Sequence, residues 1–146
     1  MLELGSTYLI VKDIEKSITF YEKLLDMKVS SQNHNRWAQF NFGNSCIALW
    51  NPKYDEERIK NEDDLEGIYS EEYLEYKRNN EIKYGNNFVL NFYIDDLRAE
   101  HDRIKELDIG EVSDIMYINV AGPYYLFMLE DPDGNQIEIT GNYESN

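Results

Sequence analysis

The hydrophobic pattern near the start of the chain changes period at Asp13. Residues 6–11 form a β-branched and aromatic run that is typical of a strand. Asp13 is a favourable helix N-cap, and apolar side chains then recur at helical spacing from Ile14 to about Leu25. The pattern therefore predicts one strand followed by one amphipathic helix.

A small antiparallel arrangement is predicted after this helix. Residues 36–42 alternate in polarity, with Trp37 on the more polar side. A Gly-Asn pair at 43–44 is a hairpin turn signal, and residues 46–50 are the predicted returning strand. The polar stretch at residues 31–35 is predicted to be a loop.

The same order of elements returns in the second half of the chain. A strand at residues 89–94 is followed by an N-cap at Asp96 and a helical pattern that ends near Leu107. Asp13 maps onto Asp96 with an offset of 83 residues. Further strands are predicted at 124–129 and 136–140, around a turn at 131–135. The sequence thus predicts a duplicated strand–helix–strand–strand–strand unit, with module one at residues 1–50 and module two at 87–146.

An acidic, Tyr-rich insert, residues 51–86, separates the two modules. It holds 11 acidic residues, 6 basic residues and 5 tyrosines. Ser70 is a favourable cap for a helix over residues 71–78, which would place Tyr73, Leu74 and Lys77 on one side. Two interpretations remain open: the insert covers part of the molecule with this helix, or it is a solvated linker.

Composition and charge restrict the possible partners. The chain has 146 residues, which is enough for one domain, and 42% of them are hydrophobic. The 14 Lys and Arg against 29 Asp and Glu give a net charge of −15, which disfavours nucleic acid and anionic membrane surfaces. The apolar runs are far shorter than the roughly 18 residues of a membrane helix. The negative charge is compatible with a neutral or cationic small molecule as the partner.

The cysteine content indicates a reducing compartment. Cys46 is the single cysteine and cannot form an intrachain disulfide. No charged and then apolar leader opens the chain, so a cytoplasmic location is expected. No neighbouring base at a recognisable spacing marks Cys46 as a nucleophile, and a small buried residue is expected there.

Two phrases of the sequence carry a family resemblance. Residues 11–21 read V-K-D-I-E-K-S-I-T-F-Y, and residues 131–138 read D-P-D-G-N-Q-I-E. Together with the duplication, they resemble the vicinal oxygen chelate superfamily, which includes glyoxalase I, extradiol dioxygenases and the fosfomycin- and bleomycin-resistance proteins. The resemblance implies an α+β fold of two βαβββ modules forming an incomplete eight-stranded barrel around a cleft. It also implies a homodimer.

Metal-dependent members of that superfamily hold Zn, Ni, Fe or Mn with His, Glu or Gln side chains on the first and last strand of each module. The resemblance places these ligand positions at Ser6, Ala48, Val89 and Glu138. Glu138 alone is a ligand type, and one carboxylate does not hold a catalytic transition metal. His34 in its polar stretch and His101 on its helix are not placed to replace the others. No metal and no other cofactor is therefore expected, and Glu138 is the single catalytic candidate.

The period of two along each strand predicts which side chains line the cleft. The predicted lining combines aromatic, amide and hydroxyl groups with one carboxylate: Ser6, Tyr8, Ala48, Trp50, Val89, Asn91, Tyr93, Gln136 and Glu138. Aromatic walls with a few polar groups are typical of a small-molecule site and favour a flat or cationic ligand. Core packing of the aromatic residues remains the alternative for each of them.

Three function classes are compatible with these features. The first is a metal-independent protein of the bleomycin-resistance type that binds a small aromatic or cationic molecule. The second is a metal-dependent enzyme, either a glyoxalase I-like lyase or a dioxygenase, so whether the chain is an enzyme stays open. The third is a ligand sensor or scaffold that acts through its dimer interface. The same fold serves all three, so it does not choose among them.

Overall fold

The chain forms two four-stranded sheets with helices, an α+β arrangement, in a computed structural model that describes residues 1–85, 87–119 and 121–144. The elements are β1 (Thr7–Ile10), α1 (Ile14–Leu25), β2 (Ser31–Asn33), β3 (Trp37–Phe42), β4 (Ser45–Trp50), α2 (Pro52–Asn61), α3 (Glu71–Asn79), β5 (Val89–Ile94), α4 (Leu97–Leu107), β6 (Met116–Asn119), β7 (Pro123–Glu130) and β8 (Gln136–Gly141). In this described part of the chain, neither sheet closes into a barrel.

The two sheets repeat one topology. The first has the strand order β1-β4-β3-β2 and the second β5-β8-β7-β6. In each, the strand before the helix pairs in parallel with the last strand, as in Tyr8 opposite Ala48 and Asn91 opposite Glu138. The remaining pairs are antiparallel. The predicted duplication of a βαβββ order is confirmed.

Two compact units divide the chain. The first comprises residues 1–15 and 29–84, and the second comprises residues 16–28 and 85–146. The first unit therefore contains the first sheet with α2 and α3, while most of α1 joins the second sheet and α4. Each unit has its own buried apolar layer.

The core of the first unit lies on one face of its sheet. Alternation along β1, β3 and β4 sends apolar side chains to this face, and they are buried there: Leu9, Ala38, Phe40, Ile47 and Leu49. The more polar side of β3, which carries Trp37, lies on the face of the sheet opposite to this core. The first sheet is thus covered by its own core on one side and presents an aromatic side on the other.

The core of the second unit joins α4 to β7 and β8. Leu97 and Ile104 of α4 are fully buried, as are Phe127 and Ile137 of the strands. His101 is also buried on this helix, with its Nε2 2.8 Å from the Ser113 carbonyl oxygen and its ring edge-on to Phe127. His101 is therefore a packing residue of this helix.

Hydrogen bonds to a buried carboxylate stabilise the turn at residues 131–135. Asp131 is buried, and its Oδ1 accepts hydrogen bonds from the backbone N–H groups of Asp133 and Asn135. Its Oδ2 accepts from the Asn135 amide and from the Tyr21 hydroxyl, at 2.8 and 2.7 Å. Burial and the Asp131 charge raise the pKa of Tyr21 well above its ordinary value. The aspartate of this phrase therefore has a structural role.

Two helix N-caps that the sequence predicted, Asp96 and Ser70, form in the structure. The Asp96 side chain accepts from the Ala99 N–H, and the Ser70 hydroxyl accepts from the Tyr73 N–H. One helix was missed: α2 begins directly after Asn51, whose side chain accepts from the Lys53 N–H, with proline at its first position. No helix in the described ranges combines the length and the apolar character needed to span a bilayer.

The loop predicted at residues 31–35 is corrected in part. Residues 31–33 form β2, an edge strand that pairs with β3, and all three of its side chains are exposed. An edge strand that buries no side chain needs no apolar period, so the polar sequence concealed it. His34 follows in the turn with a φ of 50°.

Candidate functional site

Three aromatic side chains share the open face of the first sheet: Tyr8 of β1, Trp37 of β3 and Trp50 of β4. The strand register brings them together, since Tyr8 lies opposite Ala48 and Trp37 lies opposite Trp50. The Tyr8 ring centroid is 5.2 Å from that of Trp37 and 6.3 Å from that of Trp50. Tyr8 is 51% exposed, and both indoles are half-buried. We call these three residues the aromatic face.

Polar groups continue this face along β3. The Trp37 Nε1 donates to the Gln39 side chain at 3.1 Å, and the Gln39 amide donates to Asn41 at 2.8 Å. These side chains alternate with the buried Ala38 and Phe40. The face therefore presents aromatic rings at one end of the strand and amide groups toward the other.

A buried carboxylate anchors the Trp50 end of the aromatic face. Because α2 starts immediately after β4, it places Asp55 beside Trp50, and this aspartate is 1% exposed. Asp55 accepts from the Trp50 Nε1 at 3.0 Å and from the Tyr69 hydroxyl at 2.7 Å. The Arg36 Nε lies 2.9 and 3.1 Å from its two oxygens. Donors from three separate segments thus meet at one acceptor.

The electrostatics of this anchor follow from its partners. Burial alone raises the pKa of Asp55, but hydrogen bonds from Arg36, Tyr69 and Trp50 outweigh that effect and hold the pKa below its ordinary value. Burial and the hydrogen bond to Asp55 raise the pKa of Tyr69 to about 12. Asp55 is therefore an ionised, fully engaged structural group.

Helix α3 covers this end of the aromatic face. Tyr69, just before the helix, stacks on Tyr73 with centroids 5.5 Å apart and rings 10° from parallel. Burial and then the Asp55 charge raise the pKa of Tyr73. Lys77, one turn further on, places its Nζ 5.9 Å from the centre of the Trp50 ring. The helix predicted in the insert exists and covers part of the first sheet, so the solvated-linker interpretation is wrong for this segment.

The nine side chains that the sequence assigned to one ligand site are distributed over the two units. Ser6, Tyr8, Ala48 and Trp50 belong to the first unit, and Val89, Asn91, Tyr93, Gln136 and Glu138 belong to the second. In the first unit Ala48 is fully buried and offers no surface to a ligand. Ser6 is half-buried just ahead of β1. Tyr8 and Trp50 lie together, with ring centroids 6.3 Å apart.

The second-unit residues share one face of the second sheet, as their register requires. Val89 lies opposite Gln136, and Asn91 opposite Glu138. The Asn91 amide donates to the Glu138 carboxylate at 3.0 Å, while the Gln136 amide donates to Glu130 at 2.6 Å. Val89 and Tyr93 are 48% and 62% exposed. This face is a ladder of amide–carboxylate pairs flanked by exposed apolar groups.

Sequence reasoning missed several members of the first-unit cluster. Trp37 could have been found, because a hairpin turn at 43–44 pairs it with Trp50. Arg36 and Asp55 left no such signal, since nothing in an acidic insert distinguishes one carboxylate that meets a distant arginine. The helical pattern placed Lys77 on the same side of its helix as Tyr73, but it could not identify Trp50 as the residue that this side contacts.

The donor set does not fit the metal that the resemblance implies. Ala48 and Val89, at two of the four ligand positions, have no side-chain donor atom, and Ser6 is a poor ligand for such metals. Glu138 is hydrogen-bonded to Asn91. Among the described residues, no group of three or more His, Cys, Asp or Glu side chains is arranged to hold a metal ion.

A polar groove of about 590 Å³ lies elsewhere in the first unit. The residues that line it are His34, Asn35, Asn51, Lys53, Tyr54 and Glu57. The His34 ring stacks on Tyr54, with centroids 6.1 Å apart. Since small-molecule sites are mostly apolar and this lining is mostly amide and charged, the groove is a weaker candidate than the aromatic face.

Comparisons with known proteins agree with the fold. The sequence model of the Glyoxalase/Bleomycin resistance protein/Dioxygenase superfamily matches residues 3–139. No curated protein matches the chain. Similar solved structures include a lactoylglutathione lyase from Agrobacterium tumefaciens, with 21% identity, a TM-score of 0.62 and coverage of 96% of this chain and 93% of that one. A glyoxalase-related enzyme from Fulvimarina pelagi has 14% identity, a TM-score of 0.64 and coverage of 97% and 89%.

A glyoxalase/bleomycin resistance protein from Albidiferax ferrireducens is similar to the same degree, with 18% identity, a TM-score of 0.62 and coverage of 95% of this chain and 98% of that one. At these identities the structures show the fold alone, whereas the family match spans almost the whole sequence. The duplicated βαβββ topology and the match over residues 3–139 lead to one conclusion: the chain belongs to the Glyoxalase/Bleomycin resistance protein/Dioxygenase superfamily.

Proposed function

We propose that this protein is a metal-independent binding member of its superfamily and that it holds a small aromatic molecule against the aromatic face. The proposal depends on one observation, the convergence of Tyr8, Trp37 and Trp50 on the open side of the first sheet. Aromatic rings that meet at centroid distances of 4.5–7 Å gain about 0.5–1.5 kcal/mol beyond their buried area. A flat ligand that extends the cluster gains the same kind of contact.

The charges beside the face narrow the ligand class. The Lys77 Nζ lies over the Trp50 ring, and Arg36 is paired with Asp55, which is already engaged by three donors. A cationic ligand would meet the positive charge of Lys77 at this end, which disfavours the cationic ligand expected as one possibility from the sequence. A neutral or anionic aromatic compound suits the face.

The missing donor atoms at Ala48 and Val89 support binding without metal chemistry. We expect protein purified without chelator to contain far less than one equivalent of Zn, Ni, Fe or Mn by elemental analysis. We also expect no enzymatic formation of lactoylglutathione from methylglyoxal and glutathione, the reaction of a lactoylglutathione lyase. One tightly held transition metal per chain, lost in Glu138→Ala, contradicts the proposal.

Binding itself is tested with a neutral aromatic probe. We expect indole-3-acetamide to bind wild-type protein in isothermal calorimetry and Tyr8→Ala to weaken it roughly 10-fold, the size of one lost stacking partner. Tyr76→Ala is the matched control, because Tyr76 is 64% exposed on α3 and lies outside the aromatic face. The proposal fails if the probe does not bind, or if both variants change its affinity equally.

A further inference from the structure

The ammonium group of Lys77 is buried without an acceptor. Its Nζ is inaccessible to solvent and has no hydrogen-bond partner among the residues that the structure describes. It lies in the last turn of α3 and faces the Trp50 ring at 5.9 Å from the centroid. The ammonium group therefore has no contact with water, and its one interaction among the described residues is the cation–π contact with Trp50.

This arrangement is energetically incomplete. A buried charge is costly unless an opposite charge and hydrogen bonds compensate it, and a cation–π contact returns only part of that cost. The nearby carboxylate does not supply the rest, since Asp55 is occupied by Arg36, Trp50 and Tyr69. The missing partner of Lys77 is an acceptor that the described chain does not provide.

The local charges indicate what that acceptor is. Arg36 and Asp55 form an ion pair with an Nε–Oδ1 distance of 2.9 Å, so their charges cancel. Within the cluster of Arg36, Asp55 and Lys77, one positive charge remains, and it belongs to Lys77. One negative charge restores neutrality. A phosphate would bring up to two charges and more acceptor atoms than a single ammonium satisfies.

We propose that Lys77 binds the carboxylate of the ligand, which makes the ligand an aromatic carboxylic acid. The ring stacks on the aromatic face. Lys77 is only half-buried as a whole residue, so its side chain can turn and bring the Nζ, enclosed beside Trp50 in the free protein, to the carboxylate. This inference rests on the proposed function, because it specifies the acidic group of a ligand whose ring the aromatic face already holds. It narrows the neutral or anionic aromatic ligand of the proposed function to an anionic one.

The test compares three probes of one shape on the full-length chain. Indole-3-acetate, indole-3-acetamide and tryptamine carry the same ring with a negative, a neutral and a positive side group. We expect wild-type protein to bind the acetate at least ~10-fold more tightly than the amide, as a charge-assisted hydrogen bond in a buried site provides. Tryptamine should bind most weakly. Calorimetry at one fixed ionic strength measures all three.

Two variants assign the preference to Lys77. Lys77→Met keeps the length and apolar stem of the side chain and should abolish the preference for the acetate while the amide still binds. Lys60→Met is the matched control, because Lys60 is an exposed lysine near the end of α2 in the same unit. It should leave the ratio of the two affinities unchanged.

The outcomes separate the two proposals. Equal binding of acetate and amide by the wild type overturns the role of Lys77 and leaves aromatic binding standing. An acetate preference that survives in Lys77→Met also overturns it. Binding of neither probe overturns the proposed function and this inference with it. The wild-type comparison needs no variant, so the result does not depend on whether Lys77→Met folds.

Discussion

Replacing Asp55 by asparagine is expected to lower the free energy of unfolding by about 2 kcal/mol, because the change removes a buried carboxylate and leaves the charge of its partly exposed partner Arg36 unpaired. Arg36 loses its charged partner, and the Trp50 and Tyr69 donors must share the single carbonyl oxygen that asparagine keeps, beside its own N–H groups. A half-buried donor left without an acceptor costs more than its bond contributed. The loss should exceed that of any surface substitution in α2.

Urea unfolding followed by tryptophan fluorescence measures this loss. The chain has 2 tryptophans, and Trp37 and Trp50 both lie in the first unit, so the signal reports on the unit that contains Asp55. Asp63→Asn is the control, since it makes the same chemical change at an exposed aspartate after α2. If the two variants unfold at the same urea concentration, Asp55 does not anchor the cluster.

Acid should change the stability of wild-type protein and of Asp55→Asn to different extents. The pKa of Asp55 is lowered in the folded state, so its carboxylate stabilises the fold above the ordinary aspartate pKa of about 3.9. That contribution is lost as the pH falls through the lower folded-state value. The stability difference between wild type and Asp55→Asn should therefore be full at neutral pH and shrink below about pH 4.

Much of the fold follows from local patterns in the sequence. Alternation and β-branched runs marked β1, β3, β4, β5, β7 and β8, and the aspartates at 13 and 96 marked the starts of α1 and α4. Each signal is contained in a few neighbouring residues, because strand period and cap chemistry are local properties. The bounds of these six strands differ from the predicted ones by at most one residue. The repeat then determined the order of elements.

The first-unit cluster could not be predicted in the same way. Asp55 is one of 11 acidic residues in the insert, and its burial depends on meeting Arg36 and Tyr69, which are 19 and 14 positions away. Such a meeting is a property of packing and not of any local period. The same holds for Lys77, whose missing acceptor is visible only once α3 lies against Trp50. Sequence patterns predicted which strands and helices form. The contacts between them determine which polar side chains have hydrogen-bond partners.

The second large effect is expected in the core of the other unit, at Phe127 of β7. This ring is fully buried, and it packs against the edge of His101 with centroids 4.9 Å apart, at the contact between α4 and the second sheet. Phe127→Ala removes most of a large side chain from a region where the backbone of β7 is fixed by pairing with both β6 and β8. Because the strands cannot close around the vacancy, the expected loss is about 3–5 kcal/mol.

Two further variants give this prediction its controls. Phe127→Leu keeps an apolar side chain in the same space and should cost less than half as much, whereas Tyr124→Ala, on the same strand at 42% exposure, should cost about 1 kcal/mol or less. Both tryptophans lie in the first unit, so far-UV circular dichroism in urea is the suitable measurement. None of these substitutions changes His101 or Ser113, whose Nε2–carbonyl oxygen distance is 2.8 Å, so the Phe127 series tests the packing of one ring. An unfolding midpoint of Phe127→Ala equal to that of Tyr124→Ala would mean that α4 does not depend on Phe127 for its attachment to the second sheet.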